Sequence, residues 1–193
     1  MILGVTGSFG CGKSSALAFF SARSWRCFDA DRVCKELYET DPELKREVIG
    51  RWKCGDGAGK IVFSELSRAV FDDPGELEAL CAMVYPRLGV RLDDFIASAR
   101  AAKADCACEL PLLYEGHFEE KFDAVLVIWA PEHLRRERLA KFRGFGAGEF
   151  ARREARQLAA DEKLERADLA VVNSGSREEL ERQLERLFPG SRA

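Results

Sequence analysis

The stretch Gly7-Ser8-Phe9-Gly10-Cys11-Gly12-Lys13-Ser14 meets every fixed position of the pattern G-x-x-x-x-G-K-[ST]. Glycines open backbone conformations closed to residues with a Cβ, so successive N–H groups can converge on one anion. Lys13 adds a positive charge for β- and γ-phosphates, and Ser14 offers a hydroxyl to Mg²⁺. A helix starting here turns the positive end of its dipole toward the same phosphates. Phosphoryl transfer also needs a carboxylate to accept a proton and cations over the developing charge. Candidates for the first are Asp29 and Asp31 in Asp29-Ala30-Asp31, of which at least one is expected to act in catalysis, with helix capping as the alternative role. Candidates for the second come from Arg135, Arg136, Arg138, Arg143, Arg152, Arg153 and Arg156, of which one or two are expected to act and the rest to solvate helix faces.

These residues have to be carried by regular elements. Residues 2–5 form a short apolar run suited to a buried strand, and residues 15–20 continue as a helix with Ala16, Leu17, Phe19 and Phe20 for packing. Residues 25–28 read as a second strand with the aspartates at its C-terminal end, where open parallel sheets bind ligands. A third strand at 106–110 carries Glu109 near its end, a fourth at 124–129 is uninterruptedly apolar, and a fifth at 169–172 ends at Asn173-Ser174-Gly175. Residues 177–187 form a closing amphipathic helix.

Between the second and third strands, residues 41 to about 103 read as one helical excursion of a size to build a substrate pocket. Asp41-Pro42 starts a helix that ends at Gly55, and the Gly-rich 53–60 is a turn. Ser64 to Phe71 reads as a short helix, and Asp73-Pro74 opens another toward Val84, which Tyr85-Pro86 breaks before a further helix from Arg87. From Pro131, two arginine-bearing helices flank Gly144-Phe145-Gly146-Ala147-Gly148, an arrangement suited to a closing lid at about 138–156.

With 193 residues and 47% hydrophobic content the chain suits one α/β domain. Thirty basic against thirty-three acidic residues give a net charge of -3, which supplies no overall attraction to nucleic acid or an anionic membrane. The longest apolar run, at 124–130, is too short to span a bilayer, and Met1 leads directly into a strand, so a cytoplasmic location is expected. Seven scattered cysteines without a C-x-x-C pair, and His117 and His133 away from ligand spacing, argue for reduced thiols rather than disulfides or a Cys/His metal site.

Taken together, the motifs resemble those of the dephospho-CoA kinases over nearly the whole chain. GVTGSFGCGKSS is similar to that family's phosphate loop, FDADRVCKEL to its Asp-Ala-Asp segment and SRAVFDDPGELEAL to its helical CoA-domain stretch. ELPLLYE resembles its Pro-Leu-Leu-x-Glu motif, and ARQLAADEKLERADLAVVNSG its Gln, Glu-Lys, Ala-Asp and Asn-x-Gly series. The resemblance implies a P-loop NTPase-type three-layer α/β fold, like the nucleoside monophosphate kinases, with a five-stranded parallel sheet, a helical CoA-binding excursion and a short lid. It implies transfer of phosphate from ATP to the ribose 3′-hydroxyl of dephospho-CoA, the final step of coenzyme A synthesis; a monomer is the separate expectation, on which the sequence itself is silent. Carried over, Gly10, Cys11, Gly12, Lys13, Ser14 and Ser15 hold the ATP phosphates, and Asp31 is the catalytic carboxylate. Ser14 and Glu109 serve Mg²⁺, the latter through water; Asn173 and Gly175 lie by the adenine; Arg138 or Arg143 is the lid cation. Three places depart from the family: Tyr85-Pro86 for His-Pro, Cys81 near a usual acid, and Val62-Phe63 for Asp-Arg. All fall in the excursion, where the acceptor would be recognised. Two alternatives stand beside this reading: a related kinase for another acceptor, and a nucleotide-binding protein without turnover.

Overall fold

Short apolar runs become the strands β1 (Ile2–Thr6), β2 (Arg26–Asp29), β3 (Cys106–Glu109), β4 (Ala124–Trp129) and β5 (Leu169–Val172). They pair in parallel in the order β2-β3-β1-β4-β5, so the chain leaves the central β1 for one edge of the sheet and later fills the other side. The computed structural model describes residues 1–71, 73–143 and 146–190, with the side chains of residues 71, 74, 142, 143, 147 and 149 outside that description. Gly144 and Phe145 of the expected hinge therefore lie outside the described residues. The described part forms two units, Met1–Asp29 with Ile96–Ala193, and Ala30–Phe95.

In the first unit every residue of β1 and β3 is buried, as strands covered on both faces must be. Helices α1 (Lys13–Ser21) and α9 (Arg177–Leu187) supply Ala16, Phe19, Phe20, Leu180 and Leu184 to a core shared with Leu3, Val5, Leu126 and Ile128. Phe20 anchors it, its ring lying 4.8 Å from Trp25 and 5.1 Å from Phe188. Large side chains buried in this way contribute about 1.5–3 kcal/mol each. The edge strand β5 has its backbone occupied by a side chain: Gln183 of α9 donates to Val172 O at 2.8 Å and accepts from Val172 N at 3.0 Å. Ser176 caps α9 by accepting from Glu179 N. The remaining helices of this unit are α6 (Glu132–Arg143), α7 (Ala147–Glu154) and α8 (Ala160–Glu165).

The second unit holds α2 (Ala30–Thr40), α3 (Pro42–Trp52), α4 (Phe63–Phe71) and most of α5 (Pro74–Ala101). Asp41 caps α3 as its sequence suggests, accepting from Glu43 N and Leu44 N with Pro42 in the first turn. The helix stops at Trp52 rather than Gly55. Lys53 itself takes the left-handed cap conformation, at φ 53°, while Gly55 is used in an antiparallel bridge to Ile61. Asp56 closes the Gly-rich turn, its carboxylate accepting from Ala58 N and Lys60 N.

The larger correction concerns Tyr85-Pro86, which does not break the helix: α5 runs through Pro86 for 28 residues. A proline inside a helix costs about 3 kcal/mol, because it lacks the N–H owed to the carbonyl one turn back. Leu80, Val84, Leu88 and Leu92 fall at four-residue intervals on both sides of it and are all buried. Their combined burial outweighs the proline. Arg87 adds to this, donating from Nη1 to Met83 O at 2.8 Å in the turn that Pro86 opens, and pairing with Asp41 and Glu47 of α3.

A buried ion pair fixes the segment after β3. Lys163 of α8 is 0% exposed; its Nζ donates to Pro111 O at 2.9 Å and lies 2.8 Å from Glu115 Oε1. The same carboxylate oxygen accepts from Leu158 N at 2.7 Å. Pro111 and Glu115, the ends of Pro-Leu-Leu-x-Glu, thus act as a mount for the chain between α7 and α8. Burial lowers the pKa of Lys163; Glu115 opposes that shift, and the nearby Lys13 ammonium adds to it.

Two predictions follow from these interior contacts. Pro86→Ala restores a helical hydrogen bond and is expected to raise stability by about 1–3 kcal/mol in urea denaturation, an unchanged or lower midpoint contradicting the assigned cost. Glu115→Gln leaves a buried ammonium without its counter-charge and should lose about 3–5 kcal/mol at pH 7. A lysine whose folded pKa lies below its unfolded 10.5 binds fewer protons folded than unfolded, so stability rises with pH through the folded pKa toward 10.5. The variant should therefore recover more of its stability between pH 7 and pH 10 than the wild type gains, and parallel pH profiles would refute this.

Candidate functional site

The loop after β1 closes on itself through glycine. Gly7 has φ 144°, and a Cβ there would lie 2.2 Å from Ile128 O at the end of β4; Gly12 has φ 102°, and a Cβ there would lie 2.2 Å from Asn173 Nδ2. No larger residue fits either position without moving its neighbour. Gly12 is the N-cap of α1 and brings no side-chain cap; Ser15 N turns back to Gly12 O at 3.0 Å, so the N–H groups of Lys13 and Ser14 are the ones left for an anion. Lys13, 7% exposed, folds its ammonium back across the loop to Gly7 O at 2.9 Å and Ser8 O at 3.2 Å. Its third donor faces only the Cys11 sulfur, 4.0 Å away, a weak acceptor that a phosphate oxygen can replace. Ser14 follows on the exposed side of the first turn and Ser15 is half-buried. Cys11 is buried in the core, so this residue offers the site its backbone rather than its thiol.

The later strand ends gather around this loop in the first unit. Glu109 closes β3 directly opposite Val5 of β1 and Asp29 of β2, which brings two carboxylate-bearing residues side by side at the C-terminal edge of the sheet. Glu109 is 6% exposed. Asn173, just past β5, donates from Nδ2 to Cys11 O at 2.8 Å, so it braces the loop from the side. Arg138 of α6 reaches the same turn, donating to Asn173 O at 2.9 Å and Gly175 O at 3.3 Å. The loop, Asn173, Gly175 and Arg138 are therefore joined by a continuous run of hydrogen bonds. Arg143 ends α6, but its side chain lies outside the described residues. Asp31 belongs to the second unit, exposed in the first turn of α2, and Asp29 is the residue immediately before that helix.

Among the described residues there is no group of three His, Cys, Asp or Glu side chains arranged to hold a metal ion. Mg²⁺ commonly takes one or two protein oxygens and completes its shell with phosphates and water. The exposed Ser14 hydroxyl and the strand-end carboxylate of Glu109 are oxygen donors of this kind. Thr6 Oγ1 and Ser8 Oγ are buried beside the loop without a hydrogen-bond partner among the described residues, which fits a site built to meet a polar ligand.

Sequence reasoning gave no role to Gln157, Glu154 or Lys163, and counted Arg135 only among the possible lid cations. Arg135 is 2% exposed and bound to Ala130 O, Phe9 O and the Glu154 carboxylate. Gln157 accepts from Phe9 N at 2.8 Å. Gln157 and Lys163 stand inside a motif, which was the available signal. Their partners include backbone atoms of distant segments, which no residue pattern displays.

The sequence profile of the dephospho-CoA kinases matches residues 1–179. The chain is 36% identical over 184 residues to the dephospho-CoA kinase of Deinococcus radiodurans, covering 95% of this chain and 88% of that one. It is 34% identical to the dephospho-CoA kinase of Anaeromyxobacter dehalogenans, covering 97% and 90%. Among solved structures, protein TT1252 of Thermus thermophilus superimposes with a TM-score of 0.82 at 30% identity, covering 97% of this chain and 96% of its own. The dephospho-CoA kinase of Campylobacter jejuni shares the fold with a TM-score of 0.72 at 21% identity, covering 97% and 94%. A glycine-closed phosphate loop on a five-stranded parallel sheet, continuous likeness across both units and the full run of motifs place this chain in the dephospho-CoA kinase family.

Proposed function

We propose that this protein transfers the γ-phosphoryl group of ATP to the ribose 3′-hydroxyl of dephospho-CoA, releasing ADP and coenzyme A. The observation that carries this reading is the uncapped N-terminus of α1, with Lys13 folded over its loop, in a chain that matches the family across 179 residues. The loop of residues 10–15, through the amides that Ser8 O and Gly12 O do not take, and the Lys13 ammonium bind the β- and γ-phosphates and hold the transferred group in line. Asn173 and Gly175 flank the adenine, held by Arg138. That arginine, or Arg143, also supplies positive charge as the phosphoryl group moves. Ser14 and Glu109 would hold Mg²⁺. The ion, when bound, neutralises charge on the phosphate oxygens.

Asp31 is the base in this scheme. A ribose hydroxyl is a weak nucleophile; a carboxylate at hydrogen-bond distance orients it and takes its proton as the O3′–Pγ bond forms and the bond from Pγ to the ADP oxygen breaks. Asp31 is exposed in the structure, and it lies inside the first turn of α2, so the capping position falls to Asp29. The helical excursion at about 41–103 forms the acceptor-binding part, and the lid spans about 138–156. Tyr85, Cys81 and Val62-Phe63, whose residue types depart from the family pattern, lie in that part and bear on which acceptor it takes. The same reading has the protein act as a cytoplasmic monomer, without nucleic-acid or membrane partners.

Incubation with MgATP and dephospho-CoA should yield a 3′-phosphorylated product detectable by mass spectrometry; its absence in a preparation that binds nucleotide would defeat the reading. Asp31→Asn should lower kcat by about 10² to 10⁴ while leaving ADP affinity nearly unchanged. Full activity in that variant would remove Asp31 from the chemistry.

A further inference from the structure

Both polar atoms of the Phe9 peptide, in the middle of the phosphate loop, are held by residues from outside it. Phe9 N donates to Gln157 Oε1 at 2.8 Å, and Phe9 O accepts from Arg135 Nη1 at 3.1 Å. Arg135 is oriented in turn by Ala130 O, 3.1 Å from Nε, and by a two-pronged pair with Glu154, in which Nη1 and Nη2 each lie 2.7 Å from a carboxylate oxygen. Glu154 is the last residue of α7, and Gln157 stands three residues beyond it. Aromatic contacts repeat the connection. The Phe9 ring lies 6.5 Å from that of Phe150 on α7, the Arg153 guanidinium stacks 4.9 Å from the Phe9 ring, and Arg136 lies 4.8 Å from Phe150. Gln157 is itself fixed from behind, through its amide to Pro111 O at 3.4 Å and through Leu158 N to Glu115.

We propose that Gln157 and the Arg135–Glu154 pair are positioning residues for the phosphate loop, gripping the Phe9 peptide so that nucleotide phosphate binding and the docking of α7 are a single coupled event. The grip turns the Phe9 N–H to Gln157 and Cys11 N turns back to Ser8 O, leaving the amides at the start of α1 to meet the phosphates. Reciprocity follows: a nucleotide that orders the loop orders α7, and a change that frees α7 weakens the nucleotide by the same factor. The coupling runs through α6 and α7, the two arginine-bearing helices, and gives Arg135 and Arg153 work that requires no contact with substrate.

The inference rests on the loop being the ATP phosphate site, and the experiment separates the two. MgADP is titrated calorimetrically into wild-type protein and into Gln157→Met, and amide hydrogen exchange across 147–157 is compared with and without MgADP. In the wild type MgADP should slow exchange in α7. In Gln157→Met its affinity should fall about tenfold, as expected when a buried N–H loses its acceptor. The slowing in α7 should then disappear, with KM for ATP rising while KM for dephospho-CoA stays within about twofold. A simple loss of folding would lower the active fraction without separating the two KM values. Arg135→Lys keeps the charge opposite Glu154 but not the fork, and should shift the same readouts in the same direction should the first variant not fold. Equal MgADP affinity in wild type and a folded variant, or α7 exchange indifferent to MgADP in the wild type, would overturn the coupling alone. Failure of the wild type to bind MgADP would overturn the donor site and the coupling together.

Discussion

At Gly7 and Gly12 the backbone passes so near its neighbours that one methyl group would collide, with the carbonyl of Ile128 in the first case and the side-chain amide of Asn173 in the second. The rest of the first unit follows from that constraint. The loop can turn sharply enough to present the start of α1 only because β1 ends beside β4, and β4 holds that place because its apolar residues are covered on both faces. Lys13 then spans the loop's own carbonyls, so the charge proposed to meet phosphate also holds the loop's shape.

Around the loop lies a shell of buried and half-buried polar side chains directed at backbone atoms. Asn173 takes the carbonyl of Cys11, Gln157 and Arg135 take the Phe9 peptide, and Lys163 with Glu115 holds the segment that carries Gln157. Each alone is a modest contribution, since hydrogen bonding in the folded chain replaces hydrogen bonding to water. Their value lies in geometry: phosphate amides must be held to a fraction of an ångström to favour a transition state over a bound substrate. Buried charges such as Lys163 and Arg135 are costly to desolvate, and each is met by a carboxylate and a carbonyl that offset the cost.

Much of this was legible in the chain. The strands announced themselves as short apolar runs, the loop by its glycines with Lys13, and the start of α3 by Asp41-Pro42. Where the reading failed, a non-local effect had overridden a local rule. Pro86 should end a helix on propensity, yet Leu80, Val84, Leu88 and Leu92 bury one continuous stripe and carry α5 through it. Lys53 rather than Gly55 capped α3 because the glycine was needed in a bridge two residues on. Arg135 looked like one of several solvated arginines. Its burial depends on Phe9, Ala130 and Glu154 converging in space, and the identities of those residues do not encode that.

The central claim is that the Cβ-free passage of the loop creates the phosphate site. The most direct measurement is calorimetric titration of MgADP into wild-type protein and Gly12→Ala, with circular dichroism confirming that both are folded. A Cβ at φ 102° strains the turn and displaces Asn173 from Cys11. The account predicts that Gly12→Ala binds MgADP about a hundredfold more weakly, the scale of losing charge-assisted hydrogen bonds to phosphate. A folded Gly12→Ala that binds MgADP as tightly as the wild type would contradict it.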